Sequence, residues 1–232
     1  LTIEDGFLVL EGCWFDSDLL NARLEELPPS QKSELRVYRE PEMGVEYVLG
    51  VDPSWATGGD FAVACVMSEF GEQCAIFSCN QGGEARFAEE VNNLSRKYNR
   101  ARVLCEANTG GAGRVVIKAM YRESTPVWKD SNGKDWVTHK GNKEMAYSFA
   151  RQLVNSDGVE INDHQTIQEL MHVREEKGRI EGQDGYHDDH SDAFVLAVWA
   201  LRRLPGFNGK QRREKIYHEK RNPADRIRIA LR

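Results

Sequence analysis

No apolar run in this chain approaches the roughly 18 residues that a membrane-spanning helix needs. No basic segment leads into an apolar one near Leu1, so the start does not read as a secretory leader. The chain opens on Leu rather than Met, as expected of a piece of a longer protein or of a processed chain. There is no C-x-x-C pair, and the five cysteines (Cys13, Cys65, Cys74, Cys79 and Cys105) are odd in number. Cys65 and Cys105 lie in apolar, strand-like runs. Buried free thiols in a reducing compartment are therefore expected, rather than a disulfide framework or a zinc cage. A phosphate loop of the form G-x-x-x-x-G-K-[ST] is also missing, because the glycine-rich NTGGAGRVV at 108–116 lacks the lysine.

What is present is a soluble, globular composition: 232 residues, 40% apolar and 29% charged. The net charge of −6 hides an asymmetry. From Arg202 to Arg232 there are 11 Lys and Arg against 3 Asp and Glu. An acidic body with a basic tail suits a protein that meets nucleic acid.

Organisation sharpens at Tyr47. YVLGVD, FAVACVMSE and CAIFSCN read as three strands joined by tight turns, an antiparallel meander. GEARFAEEVNNLSRKYN places Phe87, Val91 and Leu94 at helical spacing. ARVLCEAN reads as a short buried strand ending in Glu106, and a glycine loop and a helix follow it. TPVWKD and VEIND are further strand candidates. NKEMAYSFARQLVNSDG and HQTIQELMHVREE are helix candidates, and KGRIEG a turn. SDAFVLAVWALRRL is apolar on nearly every face, so a buried helix is expected, stopped by Pro205. The order predicts an α/β domain over 47–204: a mixed five-stranded sheet whose first three strands form the meander, with helices on both faces. Residues 1–46 read as an extension or connector, and 205–232 as a basic tail.

Carboxylates fall at three ends of these elements. Asp52 closes the first strand, Glu106 closes the fourth, and Asp188, Asp189 and Asp192 open the last helix. If the first and fourth strands are neighbours, the three places converge at the carboxyl edge of the sheet, where ligand sites of open α/β sheets lie. Crowded carboxylates do not all stay ionised unless a cation holds them. Hard divalent ions with oxygen ligands, chiefly Mg²⁺ or Mn²⁺, match that donor set, and two of them can flank a phosphodiester. One acid at a helix start is explained by capping, but three exceed what capping needs. Asp189 and Asp192 are three apart and Asp188 and Asp192 four apart, so spacing does not choose between the pairs.

GVDPSWATGGDFAV, VLCEANTGGAG and GYHDDHSDAFVLAVWAL together resemble the nuclease domain of the large terminase subunit of tailed bacteriophages, across Tyr47 to Leu204. The resemblance implies an RNase H-like fold close to RuvC-type resolvases. It also implies metal-dependent endonuclease activity on double-stranded DNA with two Mg²⁺ or Mn²⁺ ions. Asp52 would match the aspartate that bridges both metals, and Glu106 the second acid. The D-x-x-D-A at Asp189 to Ala193 looks like the resolvase-type ending, which would make Asp189 and Asp192 the third metal-binding, catalytic unit, whereas some relatives use the first aspartate of a His-Asp-Asp run, here Asp188. The resemblance further implies an ATPase domain upstream in the same polypeptide, a portal protein and a small terminase subunit as partners, and action in the host cytoplasm.

Basic residues that could meet DNA phosphates are Lys129, Lys134, Lys140 and Lys143, in what reads as a loop or hairpin, and Lys177 and Arg179 before the third acid cluster. Trp55 reads as packing rather than as a ring that stacks on a base. Two other functions share parts of this pattern. A stand-alone resolvase or transposase-type nuclease would use the same acids. An actin-like or sugar-kinase nucleotide-binding domain also opens on a strand, an Asp and a Gly-rich hairpin, but it needs a second domain that this chain is too short to hold.

Overall fold

The computed structural model describes residues 12–107, 111–130, 132–176 and 178–207. In chain order the elements are α1 (Ser17–Glu26), β1 (Leu35–Val37), β2 (Tyr47–Asp52), β3 (Ala62–Ser68), β4 (Gln73–Cys79), α2 (Gly83–Lys97), β5 (Arg102–Cys105), α3 (Ala112–Arg122), α4 (Lys140–Asn155), α5 (His164–His172), β6 (Val173–Glu176), β7 (Arg179–Gly182) and α6 (Asp189–Leu201).

The main sheet has five strands in the order β1-β4-β3-β2-β5. The meander β2-β3-β4 is antiparallel, and β5 joins parallel to β2, with Val51 opposite Cys105. This is the expected mixed sheet. One member differs from expectation, because the fifth strand is β1 rather than TPVWKD. Val127 makes only an isolated bridge to Val103, and VEIND only one from Glu160 to Glu72. The expected boundary at Tyr47 therefore leaves out part of the fold. β1 pairs with β4, and buried Arg36 reaches Asp163 at the start of α5 with a 2.7 Å ion pair. Phe15 and Leu20 are also core residues. KGRIEG is not a plain turn either, since Arg179–Gly182 pair with β6 in a hairpin.

The period-2 alternation of buried strands sends side chains to two cores. Val48, Val63, Cys65, Met67 and Ile76 pack with Phe194, Val198 and Leu201 of α6 and with Tyr147 of α4. Leu49, Val51, Ala64, Val66 and Phe77 pack with Phe87, Val91 and Leu94 of α2 and with Val116 and Met120 of α3. Helices thus cover both faces, as the pattern implied. Helix α6 is buried almost throughout because it lies directly on β2 and β3. All five cysteines are free, and all but Cys13 are buried. Among the described residues, no helix is long and apolar enough to cross a membrane.

Candidate active site

The site is built where β2 and β5 run out side by side. The two strands are parallel, so Asp52 and Glu106 emerge at the same edge, and the Glu106 N–H donates to the Val51 carbonyl at 3.1 Å. Two glycines set the distances to the neighbouring helices. A Cβ at Gly50 would sit 2.1 Å from both the Ala193 carbonyl oxygen and the Ala197 nitrogen. Only a bare backbone there lets α6 lie against β2 and carry its first turn beside Asp52. A Cβ at Gly113 would likewise meet the Glu106 carbonyl oxygen at 2.1 Å, so α3 begins hard against the second acid.

Burial raises the Asp52 carboxyl well above the usual carboxylate range, and the charges of Asp192, Glu106 and Asp189 raise it further, opposed by Lys143. The three acid positions singled out in the sequence are therefore electrostatic neighbours. Asp192 exerts the largest of these charge effects. Its own carboxyl is also raised, chiefly by burial, while Lys143 works against the shift.

The last helix separates the roles of its acids. Asp192 Oδ1 accepts from Tyr147 Oη at 2.6 Å, and Oδ2 accepts from Lys143 Nζ at 3.0 Å. Asp188 Oδ2 accepts from the Gly182 N–H at 3.2 Å and lies 3.9 Å from Lys143 Nζ. Asp189 turns toward β3: its Oδ2 accepts from the Phe61 N–H at 3.1 Å, with His187 Nδ1 at 3.6 Å. Burial pushes Asp189 up to about 6, against the pull of that N–H.

Capping does not account for these carboxylates. Asp188 is the N-cap of α6 but makes no side-chain capping bond. The work is done from another element, by Glu169 of α5. Its Oε2 accepts from the backbone N–H of His190 at 2.7 Å and of Ser191 at 3.1 Å, and its Oε1 is 2.8 Å from His190 Nδ1. A buried acid at the helix start satisfies the orphan amides and the dipole there. Asp188 and Asp192 are thereby left to face the edge of the sheet.

The basic candidates divide. Lys143 lies in helix α4, as the helix reading from Asn142 had it, and Lys140 is its first residue rather than part of the loop, because His139 and Asn142 form a reciprocal capping box that starts the helix there. Lys143 enters the acid cluster; burial lowers its pKa, and Asp192 and Asp188 more than offset this, so the ammonium stays charged. Lys140 Nζ lies beside Gly178 at the turn of the β6–β7 hairpin, which also carries Arg179. Lys129 and Lys134 belong to a turn around Asp130, where Lys129 stands 4.9 Å over the Tyr121 ring. Lys177 lies outside the described residues, as does the basic tail beyond 207. Sequence reasoning missed Tyr147 and Glu169. The i, i+4 pair Lys143 and Tyr147 on one face of α4 was the available signal for the first, whereas Glu169 carried none.

Among the described residues, no three Asp, Glu, His or Cys side chains are already drawn together as a finished metal cage. Crowded, buried carboxylates favour protonation unless cations neutralise them, and Lys143 supplies only one positive charge. The donors are carboxylate oxygens with neither thiolate nor a converging imidazole pair, which fits a hard divalent ion.

This is an RNase H-like α/β fold, and solved structures share it. The magnesium-bound large terminase nuclease from thermophilic phage G20c superposes with a TM-score of 0.68 at 18% identity, over 82% of this chain and 97% of that one. The large terminase nuclease domain of Thermus phage P74-26 gives 0.64 at 17% identity, over 82% and 98%. A mutant nuclease domain of the large terminase subunit gp2 of bacterial virus Sf6, solved with manganese and beta-thujaplicinol, gives 0.53 at 12% identity, over 83% and 99%. No protein-family sequence profile matches the chain.

Proposed function

We propose that this chain is a divalent-metal-dependent DNA endonuclease, the cutting domain of a phage DNA-packaging motor. The observation that carries the reading is the meeting of Asp52, Glu106 and Asp192, from β2, the end of β5 and α6, at one edge of a fold shared with terminase nucleases. The neighbours solved with magnesium, cobalt and manganese support a divalent ion.

Asp52, Glu106 and Asp192 would hold two Mg²⁺ or Mn²⁺ ions, with Asp188, beside Asp192, and Asp189, whose charge reaches Asp52, as further candidate ligands. When bound, such a pair activates water and stabilises the leaving oxygen of a phosphodiester. Asp52 lies at the end of a rigid core strand, so its carboxylate is held with little freedom. Tyr147 and Lys143 fix both oxygens of Asp192, which keeps this carboxylate turned toward the sheet edge. Lys143 also keeps a positive charge beside the site, favourable for a phosphate approaching an acidic surface. Lys140 and Arg179 at the hairpin, Lys129 and Lys134 at the Asp130 turn, and Lys177 from the sequence would contact phosphates, giving little sequence preference and a strong dependence on salt.

Residues 1–46 would connect to an upstream ATPase domain even though β1 enters the nuclease sheet, and 205–232 would form a basic tail. The portal and small terminase subunit are the expected partners, in the host cytoplasm. The test is incubation of the chain with supercoiled plasmid and Mn²⁺ or Mg²⁺ beside Asp52→Ala. Nicked and linear products from the wild type alone support the reading. Intact plasmid in both metals, or equal cutting by the variant, overturns it.

A further inference from the structure

The turn after Asp52 presents an aromatic ring that the metal chemistry does not use. Its neighbours in sequence are buried: Ser54 is 7% exposed and Ala56 3%, yet Trp55 between them is 42% exposed. The turn is braced around it. Ser54 Oγ donates to the Asp60 carbonyl at 3.0 Å and accepts from the Ala56 N–H at 3.2 Å, and the Gly58 N–H donates to the Asn80 carbonyl at 2.6 Å. Ala56 is held at φ 47°, a left-handed conformation that costs a residue with a Cβ of the order of 1 kcal/mol or more. Backbone strain that is held in place by surrounding bonds marks a place where side-chain direction matters. Packing alone, the sequence expectation for Trp55, would have turned the ring inward with Ala56.

The exposed ring also sits between the two acid-bearing segments. A Cβ at Gly111 would lie 3.4 Å from Trp55 Cζ2 and 3.8 Å from Cη2, so the benzo edge of the indole faces Gly111, the N-cap of α3. Trp55 thus follows the first acid by three residues and touches a residue five beyond the second. Three peptide steps span at most about 11 Å. One DNA strand advances about 3.4 Å per nucleotide. A phosphodiester held at Asp52 therefore has its neighbouring nucleotides, out to roughly three away, within reach of the indole.

Resting on the nuclease reading above, we infer that Trp55 is a substrate-contacting residue which stacks on an unpaired base beside the phosphate being cut. An aromatic ring stacks on any base, because every base has a π-face, so the contact adds affinity without sequence preference. Within an intact duplex both faces of a base are covered by its neighbours. The ring therefore engages a base that has left the stack, and it favours DNA opened at the cut. The other tryptophans do not compete for this role: Trp136 and Trp199 are buried, and Trp14 and Trp128 pack against the core.

The test uses duplex oligonucleotides with a central three-nucleotide unpaired patch, cut in Mn²⁺ by wild type, Trp55→Ala and Trp55→Phe. A matching duplex carries abasic nucleotides in the patch. On the base-bearing patch, Trp55→Ala should lose about 5- to 150-fold in kcat/KM, the range that base–aromatic stacking spans, and Trp55→Phe should retain most of the rate. On the abasic patch the loss should disappear, which a merely structural defect would not do. Without metal, the base-bearing duplex should quench tryptophan emission of the wild type and not of Trp55→Phe. This binding readout decides the matter if Trp55→Ala fails to fold. A Trp55→Ala enzyme as fast as wild type, a loss that persists on the abasic patch, or equal quenching in Trp55→Phe overturns the inference and leaves the nuclease reading standing. A wild type that cuts none of these duplexes, while remaining folded, removes the nuclease reading and this inference with it.

Discussion

Gly50 of β2 lies so close to Ala193 of α6 that a methyl group on Gly50 would sit 2.1 Å from the Ala193 carbonyl oxygen. Neither backbone has a flexible end that could move aside. Gly50→Ala should therefore push α6 off the sheet and cost about 3 kcal/mol or more, the upper part of the range for overpacking. Urea unfolding of the metal-free protein measures this. A cost below about 1 kcal/mol would mean that the helix is not seated on the strand as described.

Glu169 holds the start of the same helix from a different element. Glu169→Ala leaves the amides of His190 and Ser191 without their buried acceptor, at about 1–3 kcal/mol for each group left unsatisfied. The expected outcome is a loss of about 2 kcal/mol or more, together with a higher Mn²⁺ concentration for half-maximal cutting, because the turn that carries Asp188, Asp189 and Asp192 loosens. Unchanged stability would show that the amides find water instead.

Much of this architecture is legible in the residues. The three meander strands, β5 and helices α2, α3 and α6 follow from apolar runs and periodicity broken by Gly, Asn and Asp. β1 is not legible, because a three-residue edge strand in a polar stretch has no period to detect; it is fixed by its pairing with β4 and by Arg36 reaching Asp163. At the site, Asp52 and Glu106 stand out because a carboxylate ends an apolar run. The roles of Asp188, Asp189 and Asp192 are not separable by spacing, since i+3 and i+4 share a helix face. Only the bonds from Phe61, Tyr147 and Lys143 distinguish them. The start of α4 at Lys140, two residues before the legible helix, is missed because histidine is an uncommon N-cap, and the box that starts α4 is built on His139.

Crowding of the acids makes the metal-free fold sensitive to pH. A carboxyl whose folded-state pKa lies above its unfolded value of about 3.9 binds its proton more tightly in the native state. Its contribution is therefore greatest at low pH and is lost as pH rises through the folded value, about 6 for Asp189. In chelator, the melting temperature should fall between pH 5 and pH 8. Saturating Mn²⁺ at pH 8 should raise it again, because binding at a hundred times the dissociation constant adds about 2.7 kcal/mol to the stability. The restoration should be much smaller in Asp52→Asn. A melting temperature at pH 8 indifferent to Mn²⁺ would argue against metal at these acids.

The most direct test of the central claim is the Mn²⁺-dependent rate of plasmid cutting by wild type beside Asp52→Asn, which keeps the side-chain shape while removing the charge. The account predicts that the variant stays folded and loses at least about 1000-fold, beyond the 10- to 100-fold typical of groups outside the metal's own ligands. A folded Asp52→Asn protein that cuts within about tenfold of wild type would contradict it.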